Sequence, residues 1–161
     1  MNAIGNRKQG IACGAIICVI ILSAIGCASF PTQPVTEHTP TTGEKAAHIA
    51  ETMIDRPYKY RGDSPAGFDC SGLVQYSYQA AGLDVPHGTK ALRNRTRAIG
   101  RNLQTGDLLF FTERGKKYSH VGIYLENDIF VHAPSKGGKV RKDSLQDPYW
   151  KDHFIDARSF L

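Results

Sequence analysis

The sequence predicts an α+β domain, with N-terminal helices packed on a mostly antiparallel sheet. Three observations carry this expectation. Residues 44–55 and 70–81 place their apolar side chains at helical spacing. From residue 107 onward the pattern changes to short alternating runs. Past residue 43 no repeat or second linker interrupts the chain, and a continuous stretch of about 120 residues can supply one core without disulfides.

The first 26 residues read as an address. Arg7 and Lys8 precede IACGAIICVIILSAIG, residues 11–26, which carries no charge. A short basic region, an apolar run and small residues make a secretory signal peptide. The run is about 15 residues, shorter than the roughly 18–20 of a spanning helix. It ends in Ala24-Ile25-Gly26-Cys27, which resembles a bacterial lipoprotein box with Cys27 as the lipidated residue. Cleavage after the same small residues without lipidation is the alternative and gives a soluble secreted form. Either way Cys13 and Cys18 leave with the signal. A two-disulfide framework is excluded, and with Cys27 lipidated Cys70 is the single free thiol. Residues 28–43, ASFPTQPVTEHTPTTG, are rich in proline and threonine and form an extended tether. The domains are therefore 1–26, signal; 27–43, lipobox cysteine and tether; and 44–161, the folded unit.

Within that unit, Ala47, Ile49, Ala50, Met53 and Ile54 give the first helix its apolar face, and Pro57 helps to end it. The second helix has Asp69 as N-cap and Gly82 as C-terminal cap. Its apolar stripe is Leu73, Tyr76, Ala80 and Leu83. Strands follow at 107–112, 120–125 and 129–133, with weaker ones at 139–144 and 154–160. A three-residue loop, Glu126-Asn127-Asp128, sets Leu125 opposite Ile129 and Ile123 opposite Val131. One face of the hairpin then collects Val121, Ile123, Leu125, Ile129 and Val131. The other collects His120, Gly122, Tyr124, Phe130 and His132. A two-residue loop would mix these sets.

Cys70 opens the second helix, where unpaired N–H groups and the helix dipole favour an anion. Both lower a thiol pKa, and the same N–H groups could hold an oxyanion. Gly72 leaves this turn uncrowded. A helix-start cysteine with two histidines on one sheet face supplies a nucleophile, a base and an orienting group. The same three residues could instead bind zinc, or pack as ordinary core side chains. Spacing alone does not separate these readings. The formal charge of +5 is mild. Lys90, Arg93, Arg95, Arg97 and Arg101 form a basic segment, read as a solvated helix face that can also attract carboxylates. No stacking platform accompanies it, so nucleic acid is not an expected partner.

PYKYRGDSPAGFDCSGLV, SHVGIYLEN, FVHAPSKGGKV and PYWKDHFIDARSF, in this order, resemble the NlpC family of bacterial cell-wall cysteine peptidases over residues 44–161. The resemblance implies a papain-like fold. It implies Cys70 as nucleophile, His120 as general base and His132 as the residue that orients His120. A neutral histidine in that place gives less charge stabilisation than an aspartate would. It further implies Tyr58 in the cleft near the oxyanion, with Asp69 and Ser71 beside the nucleophile as substrate contacts. Two stretches depart from the family pattern. Arg61 stands where glycine is frequent, and Val85-Pro86-His87-Gly88-Thr89 replaces a P-R-[TS] run. The implied activity is hydrolysis of peptidoglycan stem-peptide or cross-link amides next to meso-diaminopimelate, a DL-endopeptidase reaction, without metal or cofactor. A monomer facing the periplasm on a lipid anchor is the implied setting. A wall-binding module without catalysis and an acyl transferase acting on lipids are the competing functions.

Overall fold

Thr41 starts the first helix. Its hydroxyl accepts the Glu44 N–H at 3.2 Å, and the Glu44 carboxylate returns to the Thr41 N–H at 2.7 Å. This reciprocal capping box sets the start of α1, Thr42–Thr52. The helix thus begins two residues earlier than the sequence predicted, inside the stretch assigned to the tether, because the cap needs Glu44 in the first turn. The structure is a computed structural model that describes residues 38–100 and 102–160. The signal peptide, Cys27 and residues 28–37 of the tether lie outside the described residues. Among those described, no helix is long and apolar enough to cross a membrane.

After α1 come a short hairpin, β1 (Asp63–Ser64) and β2 (Gly67–Phe68), and the helix α2, Cys70–Ala80. Two-residue strands carry no alternation, so the sequence pattern does not reveal this hairpin. Next are α3 (Thr89–Arg95), β3 (Arg97–Ile99), β4 (Leu108–Glu113), β5 (Lys116–Tyr124), β6 (Ile129–His132) and β7 (Arg141–Ser144). The chain closes with α4, Pro148–His153, and β8, Phe154–Ser159. The six longer strands form one sheet in the order β3-β8-β4-β5-β6-β7, antiparallel throughout. This is the α+β arrangement that the sequence predicts.

The β5–β6 register agrees with the predicted hairpin. Ile123 faces Val131, Tyr124 faces Phe130, and the Leu125 N–H meets the Ile129 carbonyl at 2.9 Å. Asn127 and Asp128 close the loop in the left-handed region, at φ 50° and 61°, which Asn and Asp tolerate better than most residues. Alternation then gives the sheet two different coats. Val121, Ile123, Leu125 and Val131 join Leu108, Phe110 and the buried sides of α1 and α2 in one core. Phe130 joins Leu109, Phe111, Ala157 and Trp150 of α4 in a second core on the other side.

The buried face of α2 is shifted from the predicted stripe. Leu73, Val74, Ser77 and Tyr78 are buried, whereas Tyr76 is half-buried and Ala80 is exposed. The helix packs against both α1 and β5, so it turns a broad face inward that includes the small polar residues Ser71 and Ser77. Gly82, at φ 93°, follows the Ala81 C-cap as expected.

Candidate active site

The site is assembled where β6 leaves β5. In an antiparallel pair, alternate residues point their N–H groups to the same neighbour. Val121, Ile123 and Leu125 of β5 therefore all aim at β6. Pairing with β6 ends at Ile123–Val131, and the Val121 N–H is instead near enough to the Cys70 thiol to favour its ionised form. Cys70 is held there by the start of α2. The Asp69 carboxylate accepts the Gly72 N–H at 2.7 Å and the Ser71 hydroxyl at 2.8 Å. Cys70 packs against the core beneath α1 and α2, while the His120 ring belongs to the opposite coat of the sheet. His120 directly precedes Val121, and its Nδ1 lies 3.6 Å from the Glu113 carboxylate. That same carboxylate is near enough to act on the Cys70 thiol.

Cys70 differs from the expectation in its ionisation. Burial of the thiol, together with the negative charges of Asp69 and Glu113, pushes its pKa up to about 12. The N–H groups of Val121 and Ser71 act the other way. The helix start therefore does not produce a resting thiolate, because Asp69 caps that end with a negative charge and desolvation outweighs the helix dipole.

Behind Cys70 the histidines form a chain. His120 Nε2 is 2.8 Å from His132 Nδ1, and His132 Nε2 is 3.0 Å from Asp143 Oδ2. Asp143 also accepts the Trp150 indole N–H at 2.8 Å and the Arg141 guanidinium at 2.9 Å. The Trp150 ring stacks on His120 at 5.4 Å between centroids and meets His132 edge-on at 4.8 Å. Both histidines are buried. Burial lowers the pKa of each, strongly for His120, so both rings rest neutral. For Asp143 burial acts upward, but the bonds from His132, Arg141 and Trp150 hold its carboxyl well below the usual carboxylate range. Both nitrogens of His132 are thus engaged, which leaves none for the zinc ligation considered from the sequence.

These titrations set a stability profile. An unfolded histidine protonates near pH ~6.5, whereas buried His120 and His132 stay neutral further down. Their contribution is complete above about pH 6.5 and is lost as the pH falls, because the unfolded chain takes up protons that the folded chain does not. Asp143 adds a second loss in the same direction once the pH passes below the usual carboxylate range, about 3.9. Glu113 opposes it, since burial raises its pKa. The melting temperature is expected to fall between pH 7 and pH 5, and a His132→Gln variant to give a flatter curve. Thermal denaturation across that range is the check.

In front of Cys70 lies a cavity of about 460 Å³ lined by Tyr58, Arg61, Asp69, Cys70, His87 and Ser119, among others. Tyr58 lines it as expected. Burial, then the nearby Cys70 and Asp69, raises its phenol pKa, so it is a neutral donor. Asp69 is both N-cap and cleft residue, and His87 Nε2 sits 2.9 Å from its Oδ1. Ser71 is buried, with its hydroxyl given to Asp69. Arg61 adopts φ 57°, the left-handed conformation that favours glycine. The site residues that the sequence does not single out are Asp143, Trp150 and Glu113, whereas His87 lies in the stretch that departs from the family pattern and lines the cavity. The signal for Asp143 was its register. Phe130 pairs with Asp143 and His132 with Arg141, so the acid and the arginine share the histidine face.

Comparison with known proteins gives one answer. The NlpC/P60 family pattern matches residues 55–159. The chain is 37% identical over 128 residues to murein DD-endopeptidase MepH of Escherichia coli, covering 73% of this chain and 47% of MepH. It is 38% identical over 104 residues to the bifunctional muramidase/DL-endopeptidase CwlT of Bacillus subtilis, covering 62% of this chain and 31% of CwlT. It spans half or less of the length of these two relatives. A crystal structure of a lipoprotein-like NLP/P60 family protein from Staphylococcus aureus superimposes with TM-score 0.67 at 34% identity. That match covers 81% of this chain and 45% of the other. With the family pattern running from the end of α1 through the last strand, across Cys70, both histidines and Asp143, this chain belongs to the NlpC/P60 family.

Proposed function

We propose that this protein is a cell-wall cysteine peptidase that hydrolyses amide bonds of peptidoglycan stem peptides or cross-links next to meso-diaminopimelate. The observation that carries the reading is the junction of α2 and β5, where a helix-start thiol meets the strand bearing the first of two linked histidines. His120 takes the Cys70 proton as the sulfur attacks the substrate carbonyl. Unpaired N–H groups at the start of α2 and the Tyr58 hydroxyl receive the negative charge on oxygen. Collapse expels the amine, which takes the proton from His120 and leaves a thioester. Water, deprotonated by His120, then releases the acid and restores the thiol. With burial pushing the thiol up and keeping His120 neutral, the Cys70 proton passes to His120 as the sulfur attacks.

The named relatives include both DD- and DL-endopeptidases, so two bonds are in question: D-Glu to diaminopimelate, and diaminopimelate to D-Ala across a cross-link. The DL assignment follows the sequence reading. Cys27 as a lipid anchor, with residues 28–43 as its tether, would set the domain within reach of the wall. Incubation of the full-length protein with purified sacculi, followed by mass spectrometry of the soluble products, tests the reading. Disaccharide fragments whose stem ends at D-Glu, with released peptides that begin at diaminopimelate, are expected for DL cleavage. Loss of cross-linked dimers in favour of monomers identifies DD cleavage instead. Binding to sacculi without any release refutes catalysis and leaves a wall-binding module.

A further inference from the structure

Asp143 ends a line of hydrogen-bonded polar groups that begins at His120. An ionised carboxylate only accepts hydrogen bonds. The groups that face Asp143 are the Arg141 guanidinium, the Trp150 indole N–H and His132 Nε2, and all donate to it. His132 Nε2 must therefore carry hydrogen. A neutral imidazole has one N–H, so His132 Nδ1 is a bare acceptor. It sits 2.8 Å from His120 Nε2, which must then be the donor. His120 in turn keeps its lone pair on Nδ1, the nitrogen beside Glu113 at the mouth of the site. The reverse assignment sets a lone pair of His132 against the carboxylate. His132 is fully buried and its Nε2 is only 3.0 Å from the carboxylate, so that arrangement is costly.

We infer that Asp143 is a positioning residue that sets the tautomers of both His132 and His120 and so keeps the His120 Nδ1 lone pair free for the Cys70 proton. The inference rests on the Cys70–His120 reading of the site, but its primary readout does not require activity. Asp143 also lies behind the pair when His120 becomes an imidazolium. It thereby supplies, one ring further back, the negative charge that a Cys-His-His trio would otherwise lack. Arg141 and Trp150 hold the carboxylate ionised and aimed.

The test is nitrogen-15 NMR of the histidine rings in the full-length protein at pH 7.5. Nε2–H tautomers are expected for both His120 and His132. Protonation of either ring on Nδ1 in the native protein overturns the inference whether or not any variant folds. In Asp143→Asn the amide can turn its NH2 group to His132 and release the lock. Its rings are expected to shift towards Nδ1–H, with kcat on muropeptides lower by about 100-fold or more and KM little changed. A stability loss without a tautomer shift would mean a purely structural role for Asp143. If Cys70→Ser keeps full activity while the tautomers are as expected, the proposed mechanism fails and the tautomer assignment survives.

Discussion

Cys70→Ser and His120→Ala are each expected to lose at least ~10⁴-fold in muropeptide release, and the double variant no more than either alone. Groups that act as one unit are not additive, since removing either leaves the other with nothing to do. The structure makes that coupling severe here. The thiol, pushed up to about 12 by burial and by Asp69 and Glu113, is almost wholly protonated at neutral pH. Without the His120 Nδ1 to receive its proton, the fraction of nucleophilic sulfur is negligible. The serine variant keeps the helix cap, which uses Asp69 and the Gly72 N–H and not the sulfur, so it should fold normally. A comparison of release rates from sacculi for the four proteins decides. A double variant much weaker than both singles would show that the two residues work independently. A His120→Ala loss of only tenfold would mean that the thiol proton leaves by another route. Alkylation of Cys70 by iodoacetamide in His120→Ala should be correspondingly slow at pH 7 and should accelerate steadily with rising pH.

The parts of the site visible in the sequence are those with local periodicity. The aliphatic and aromatic faces of the β5–β6 hairpin differ cleanly, so loop length, register and the neighbouring histidines could all be read from residues 120–133. Asp69 before Cys70-Ser71-Gly72 marked a helix start with equal directness. Asp143 was harder to see. It stands in KVRKDS, where alternating charges look like any edge strand. Its role appears only when the β6–β7 register brings Arg141 and Asp143 onto the histidine side. Trp150 lies on α4, a six-residue helix too short to show periodicity, started by Asp147 with Pro148 at its first turn. The direction of the Cys70 shift is hidden from the sequence for a related reason. Helix-start electrostatics are local and legible, whereas desolvation and the Glu113 charge arrive from packing of distant segments. The resemblance to cell-wall peptidases implies Cys70, His120 and His132 as a trio but carries no information about the carboxylate behind them.

Gly72→Ala is expected to destabilise the domain by about 3 kcal/mol and to remove activity from the fraction that stays folded. The expectation opposes simple propensity, which favours alanine over glycine inside a helix by roughly 1 kcal/mol. What decides is the contact. A methyl group on Gly72 would overlap the Gly62 carbonyl oxygen and come within 2.9 Å of its carbon and 3.0 Å of the Asp63 Cα. These are backbone atoms with no rotamer to yield. The Gly62 carbonyl is itself held by the Asp69 N–H at 2.9 Å, so the turn before β1 and the first turn of α2 are fastened together. Relief of the overlap requires the two to separate. That movement carries Cys70 away from the Val121 N–H and opens the cleft wall formed by Tyr58, Arg61 and Asp69. Gly72 thus does more than leave the turn uncrowded, because it permits the close approach that sets the height of the nucleophile against the strand. Gly100→Ala is the matched control, with no neighbour within 4 Å of its added carbon, and should be close to neutral. Urea denaturation of the two variants, with sacculus digestion by the folded fraction, measures both effects. A Gly72→Ala protein as stable and active as the control would show that α2 is not seated by this contact.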